Sequence, residues 1–372
     1  MKYCQRCIIP DTRPNISFNA QGVCNACEGY GVRRETDWTD REEKFRRVVA
    51  RARQRSKGYD CVIPVSGGKD STWQVVKCLE YGLKPLCVTW KTPARTEIGR
   101  KNLENLISLG VHHIDFQVNP KVESRYMSLA FERFGTTALP MHMALFNIPL
   151  TVALKFDISL IVWGENSALE YGGTEEDYLT GFQLTDDWLK KYGLMHGTTA
   201  ADWTGLDFDA RDLQPYFGPS AKELEDRKIF ATFLGWYFPW DPETSFKVAS
   251  EHGFQAGDSA RTGTYTYADI DDDFISLHHW MKWYKFGFTR SYDNLSLEIR
   301  NGRLTRGRAV EILLELGDET PHQDIEKFCS FAGITKAGFF RIAEKFRNPA
   351  IWKQKDGVWK IDNFLIKDWN WT

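Results

Sequence analysis

The stretch that most limits what this chain can fold into runs Cys61-Val62-Ile63-Pro64-Val65-Ser66-Gly67-Gly68-Lys69-Asp70-Ser71-Thr72. Cys61 to Val65 is short, β-branched and free of charge, as expected of an interior strand in a parallel sheet covered on both faces. Pro64 is out of place there, because a central strand wants every N–H. After the turn, Trp73, Val75, Val76 and Leu79 recur at helical spacing until Gly82 supplies a stop. Strand, glycine turn and helix in direct succession aim consecutive backbone N–H groups and a helix N-terminus at one point, which makes an anion site. Gly67 and Gly68 carry no Cβ, so an oligophosphate can approach the main chain. Lys69 adds a mobile positive charge, and the Ser66 and Ser71 hydroxyls add donors. The spacing is neither the Walker pattern nor Gly-x-Gly-x-x-Gly. A turn without a ligand is the plain alternative, and it leaves the register of all three parts unexplained.

From Tyr59 onward strands and helices alternate. Further strands are expected at Pro85 to Trp90, His113 to Val118 and Ile158 to Trp163, with helices near 97–109, 121–134 and 141–155. This pattern predicts an α/β fold with a doubly wound parallel sheet, whose ligand sits at the carboxyl ends of the strands. Three strand ends should then converge on one crevice: Ser66 to Ser71, Thr89 to Thr92, and Gly164-Glu165-Asn166. Residues 165–220 show no clear period and read as irregular structure facing a substrate or partner. Helical patterns return near 221–232, 243–252, 275–287, 305–317, 321–331 and 335–346, with a loop from Gly287 to Asn294. The expected division is a zinc-binding segment 1–36, a nucleotide-binding domain 37–220 and a mainly helical substrate or partner region 221–372.

Cys4, Cys7, Cys24 and Cys27 form two Cys-x2-Cys pairs, the spacing of a four-thiolate zinc site. The segment between the pairs holds too little apolar material to fold unaided, so the metal would supply folding energy. Four thiolates leave no open position, which favours a structural role. Two disulfides are the alternative, and a reducing compartment disfavours them. Cys61, Cys78, Cys87 and Cys329 stand alone in apolar patterns and read as core residues.

A net charge of −2 over 372 residues gives no pull toward nucleic acid or an anionic membrane. The arginines between residues 46 and 55 read as a solvated helix face. No apolar run approaches the roughly 20 residues that span a bilayer, and a cytoplasmic location is expected. Aromatic side chains make up 14% of the chain, with 14 Trp. Much of this aromatic content follows residue 160, which suits a second core or a site for sugar rings.

Ser66 to Ser71 resemble the Ser-Gly-Gly-x-Asp-Ser loop of the N-type ATP pyrophosphatases, which cleave ATP between its α and β phosphates. Further segments resemble one branch of that superfamily, the N-acetyl sugar amidotransferases that make acetamidino sugars for bacterial surface polysaccharides. They are the Cys-x2-Cys pairs, Val88-Thr89-Trp90, Thr96 to Gly99, Trp163 to Asn166 followed by Glu170-Tyr171-Gly172, Lys285 to Arg290 with Asp293, and Ile299 to Arg306. The resemblance implies an adenine nucleotide alpha hydrolase-like sheet with ATP and Mg²⁺ bound at the loop and Zn²⁺ at the cysteines. It implies catalytic roles for Lys69, Asp70, Glu165 and Arg290. ATP would be held by Ser66, Gly67, Gly68, Lys69, Asp70, Ser71, Thr89, Gly164 and Asn166.

The reaction so implied activates the amide oxygen of a nucleotide-linked N-acetyl sugar by adenylation and replaces it with ammonia to give an acetamidino sugar, as in lipopolysaccharide O-antigen synthesis. A separate glutaminase subunit and a cyclase-like subunit would deliver the ammonia, since residue 2 is Lys and the isolated cysteines lie in apolar patterns. Two rival readings are a tRNA-modifying enzyme of thiolation or lysidine type and a zinc-bearing interaction protein with an inactive nucleotide fold.

Overall fold

The computed structural model describes residues 1–205 and 208–371. Residues 206 and 207, within the stretch expected to be irregular, lie outside it. Five parallel strands form one sheet: β1 (Cys61–Pro64), β2 (Pro85–Trp90), β3 (His112–Phe116), β4 (Leu160–Trp163) and β5 (Phe230–Phe233), in the order β3-β2-β1-β4-β5. The fold is α/β with a parallel sheet, as the alternating pattern required.

Period two along the strands splits the core between the two faces of the sheet. Val62, Val88, Ile161 and Phe233 face the helices Pro120–Phe134 and Leu139–Lys155. Cys61, Ile63, Cys87 and Val162 face the helices Trp38–Arg55, Lys69–Glu80 and Glu97–Ser108. The chain runs outward through β1, β2 and β3 on one face, then crosses the other face to place β4 on the far side of β1. The order therefore reverses between β1 and β4, where a crevice opens at the carboxyl ends.

Pro64 has a compensating partner. Val65 N–H bonds to the Val88 carbonyl on β2 at 2.9 Å, so by alternation the absent N–H of Pro64 falls on the β4 side, opposite the Val162 carbonyl. The buried Gln74 side-chain amide, from the helix after the loop, donates to that carbonyl instead. Gln74→Leu is expected to orphan the carbonyl and destabilise the protein by about 1–3 kcal/mol in chemical denaturation. The exposed control Gln54→Leu should stay within about 0.5 kcal/mol, and an equally small effect at Gln74 would remove the explanation.

Several local expectations change. A helix was expected across 221–232, but it covers only Ala221–Asp226 and gives way to β5, so the sheet extends past the boundary at 220. The loop Gly287 to Asn294 is instead a turn followed by the helix Arg290–Arg300. The aromatic tail holds an antiparallel hairpin, β6 (Trp352–Lys355) and β7 (Val358–Ile361), turned by Asp356 (φ 52°) and Gly357 (φ 81°). Residues 165–220 carry short helices at Ser167–Tyr171, Glu175–Thr180 and Asp186–Tyr192, each started by a polar cap.

The N-terminal segment does not stand apart. Ile8, Ile9 and Cys24 share a core with Phe288, Tyr292, Leu295, Leu313 and Ile366. No helix among the described residues is long and apolar enough to cross a membrane.

Candidate active site

The loop after β1 is held open by its own hydroxyls. Ser66 Oγ accepts from the Gly68 N–H at 3.1 Å, and Ser71 Oγ accepts from the Gly67 N–H at 3.2 Å while donating to the Gly68 carbonyl at 3.0 Å. Gly67 sits at φ +91°, and a Cβ there would come within 2.7 Å of the Leu103 backbone, so no other residue fits. The helix Lys69–Glu80 starts from Gly68 without a side-chain cap, leaving its first N–H groups directed at the crevice.

Lys69 is only 5% exposed. It pairs with the Asp70 carboxylate and lies over the Trp240 and Tyr267 rings, at 5.7 and 5.8 Å. The Trp240 indole N–H donates to the other Asp70 oxygen at 3.0 Å. The lysine and carboxylate that the motif supplies are thus fixed by aromatics from far along the chain.

Glu165 stands at the end of β4, beside the reversal of strand order. Its side chain is exposed to solvent. Desolvation by the surrounding protein, reinforced by the Asp70 charge and opposed by Lys69 and Arg290, raises its pKa to about 7.

The opposite wall comes from the C-terminal region. Arg290 donates to the Tyr171 hydroxyl at 3.2 Å and to Asp269 at 3.3 Å, and lies 3.8 Å from Asp293. Asp293 is fully buried and also accepts from Arg13 at 2.7 Å and Lys282 at 2.9 Å. Burial works against the charge of Asp293, but Arg13, Lys282 and Arg290 outweigh it and hold it well below the usual carboxylate range. Asp269 is held down in the same way, against its burial, by Arg290 and His279. Asp271 lies beside the Ser66 hydroxyl, and its main chain rests on the start of the Glu97–Ser108 helix, where a Gly99 Cβ would be 2.6 Å from its Cα.

The structure therefore brings Ser66, Gly67, Gly68, Lys69, Asp70, Ser71, Glu165 and Arg290 around one crevice. It does not bring the Asn166 or Thr89 side chains there. Asn166 is fully buried; its amide oxygen accepts from the Ala168 N–H at 3.0 Å and the Trp188 indole at 3.1 Å, and its NH₂ donates to the Gly181 carbonyl at 2.9 Å. The Thr89 hydroxyl donates to the Val65 carbonyl at 2.7 Å, which makes His113 Nε2 the donor in their 2.8 Å contact. Gly164 packs a Gln74 oxygen against its Cα and accepts from the Gly235 N–H at 2.9 Å.

Sequence reasoning missed Trp240, Asp269, Asp271 and Arg13. The acidic run Asp269 to Asp273 ahead of a helix was the one legible signal among them.

The sulfurs of Cys4, Cys7, Cys24 and Cys27 are all buried and lie within 4.8 Å of one another, with 3.9 Å between Cys4 and Cys27 and 3.7 Å between Cys7 and Cys24. A tetrahedral zinc–thiolate site requires edges of roughly 3.8 Å. The N–H groups of Arg6 and Cys24 point at Cys4 Sγ, at 3.4 and 3.3 Å, which favours a thiolate. The cluster is able to bind a metal.

Residues 261–365 match the family described as LPS biosynthesis protein WbpG-like, C-terminal domain. That match takes in Asp269, Lys282, Arg290 and Asp293. No curated protein matches the chain. Among solved structures, the NH3-dependent NAD synthetase from Campylobacter jejuni is 18% identical over 52% of this chain and 93% of its own, with a TM-score of 0.28. The NMN synthetase from Francisella tularensis is 14% identical over 57% and 96%, with a TM-score of 0.26. A predicted subunit of tRNA methyltransferase from Methanocaldococcus jannaschii is 15% identical over 51% and 74%, with a TM-score of 0.27. Scores this low carry no argument about fold or function.

Proposed function

Taking residues 261–365 as a WbpG-like domain of lipopolysaccharide biosynthesis, we propose that the chain is an ATP-dependent, AMP-forming amidotransferase that converts an N-acetyl sugar to an acetamidino sugar. The observation that carries the reading is the loop. Uncapped N–H groups, a buried lysine and a carboxylate meet at the strand reversal, with Glu165 and Arg290 facing them.

An amide carbonyl is a poor electrophile, and adenylation turns its oxygen into a leaving group. The amide oxygen attacks the α-phosphorus of ATP and pyrophosphate departs. Ammonia then adds to the imidate carbon and AMP leaves with the former amide oxygen, giving the amidine. The N–H groups of the first helical turn, which no side chain caps, together with the Lys69 ammonium, hold the departing pyrophosphate. Arg290, locked between Asp269 and Tyr171, faces the charge that develops on the α-phosphate side. Glu165 accepts a proton as ammonia becomes the amidine nitrogen, a role that suits a carboxylate titrating near neutrality. Asp70 offers a carboxylate oxygen that suits Mg²⁺, which would neutralise phosphate charge. The four thiolates would hold Zn²⁺ in a structural role.

No glutamine-hydrolysing centre is assigned to this chain. Cys61, Cys78, Cys87 and Cys329 are buried, and burial raises the Cys87 thiol out of the reactive range. A separate glutaminase with its cyclase-like companion supplies the ammonia. With nucleotide-linked N-acetyl sugars as acceptors, ATP should yield AMP and pyrophosphate with ammonium chloride, and glutamine should not substitute unless the partner is added. ADP as the stoichiometric product, or glutamine use by this chain alone, would overturn the reading.

A further inference from the structure

The helix Ile275–Phe286 carries His278, Lys282 and Lys285 at i, i+4 and i+7, on one face. Gly135 and Thr136, in the turn before the helix Leu139–Lys155, meet this face, and Phe134 packs beside it. Phe134 stacks on His196 at 5.1 Å between ring centroids, a Cβ on Gly135 would lie 3.0 Å from Lys285 Cε, and the Thr136 hydroxyl is 2.9 Å from His278 Nδ1. His142, in the first turn of the helix Leu139–Lys155, sets its ring 5.5 Å from that of His278.

Three independent observations leave an anion missing here. Lys282 has Asp293 as its partner, but Lys285 forms no ion pair among the described residues; only the Phe346 ring, at 5.7 Å, meets its charge. Burial alone lowers it, to about 8. An embedded cation without a counter-charge is costly. Next, the 17-residue helix Leu139–Lys155 has no capping side chain at Ala138; Thr136 Oγ takes the Ala138 N–H at 3.2 Å and Pro140 has none, which leaves the Leu139 and Met141 N–H groups without an intrahelical acceptor. Finally, Thr137 is 1% exposed and its hydroxyl has no hydrogen-bond partner. Burial also holds His142, His196 and His278 below the ordinary imidazole range, and the charged neighbours acting on them are other imidazoles and lysines.

We propose that Thr137, His142, His278 and Lys285, with the N-terminus of the helix Leu139–Lys155, form a second anion subsite that holds a phosphate or carboxylate of the acceptor. It is built from other elements than the loop: the turn before the helix Leu139–Lys155, that helix, and the helix Ile275–Phe286. The inference rests on the acceptor chemistry proposed above, and it can fail separately because it is read by binding rather than turnover. Two carriers offer this chemistry, the diphosphate joining a sugar to a nucleoside and a carboxylate on the sugar itself.

The test is calorimetric titration of the full chain, with the loop saturated by Mg²⁺ and α,β-methylene-ATP, using UDP-N-acetylglucosamine and glucuronate as separate probes. Lys285→Gln should weaken the bound probe about tenfold or more while affinity for the ATP analogue changes less than about twofold. Lys285→Arg should retain most of the affinity, and Thr137→Val is a second variant that keeps the shape of the site. Dependence of UDP-N-acetylglucosamine alone assigns the diphosphate, dependence of glucuronate alone assigns a carboxylate, and dependence of both assigns a site that reads charge whatever its carrier. Unchanged affinity for both probes in Lys285→Gln, or no binding of either by the native protein, would overturn the proposal.

Discussion

Alanine in place of Lys69 is expected to cut AMP formation about 10²- to 10³-fold, the usual cost of removing a preorganised donor from a developing anion. The lysine is buried, paired with Asp70 and stacked between Trp240 and Tyr267. It is therefore already oriented before ATP arrives. The loss should fall on kcat more than on the KM for ATP, because the backbone N–H groups of the first helical turn still bind phosphate in the ground state. Arginine should rescue poorly, since its planar fork does not fit a space shaped for an ammonium. The aromatic shelf leaves the fold a reason to survive, so the melting midpoint should stay close to that of the native protein. Turnover within about threefold of native would show that Lys69 lies outside the chemistry.

The second large effect concerns the metal. Cys24→Ser should remove the bound metal and lower stability by on the order of 4 kcal/mol or more, a fall of roughly 8 °C or more in the midpoint. Serine is a stringent choice, because Cys24 also caps the helix Asn25–Arg34 by accepting from the Cys27 N–H at 3.4 Å, and a serine hydroxyl keeps that cap. The loss then reports the metal and not the helix start. Chelation of the native protein should reproduce the shift, whereas Cys329→Ser should keep its full metal content. One equivalent of zinc retained by Cys24→Ser would sink the assignment.

The parts legible in the sequence were those decided by local chemistry. The run from Cys61 to Ser71 announced strand, turn and helix because β-branched residues, two glycines and a helical period follow one another without a gap. The cysteine pairs announced themselves by spacing alone. The strand Phe230–Phe233 was hidden because only four residues pair, and the capping box at Ser220 to Glu223 imposed a helical reading on what followed. The helix Arg290–Arg300 was hidden for a different reason. It is buried on more than one side, so Ser291, Asp293, Asn294 and Ser296 are covered as well as Tyr292, Leu295 and Leu297, and the short run from Gly287 to Asn294 shows its polar residues before its apolar ones. Asn166 was misplaced because strand-end position predicts where the backbone goes, while its side chain was recruited to hold the segment that follows. Trp240 could not be read at all, since its contact with Asp70 spans 170 positions.

Asp293, beside Arg290, binds Arg13 across a separation of 280 residues, and the core beneath it pairs Ile8 and Ile9 with Phe288, Leu313 and Ile366. On the ribosome the cysteine segment emerges well before its packing partners, which follow it by some 280 positions. Until then Ile8 and Ile9 have nothing to cover them, and the thiolates stand ahead of any completed scaffold. Early capture of metal would give that segment a compact form while it waits, and would spare its apolar residues from contact with other nascent chains. The closing of the cysteine segment onto the helix Arg290–Arg300 is then the step that sets Arg290 in place, so the crevice acquires its cationic wall only after that helix has been made.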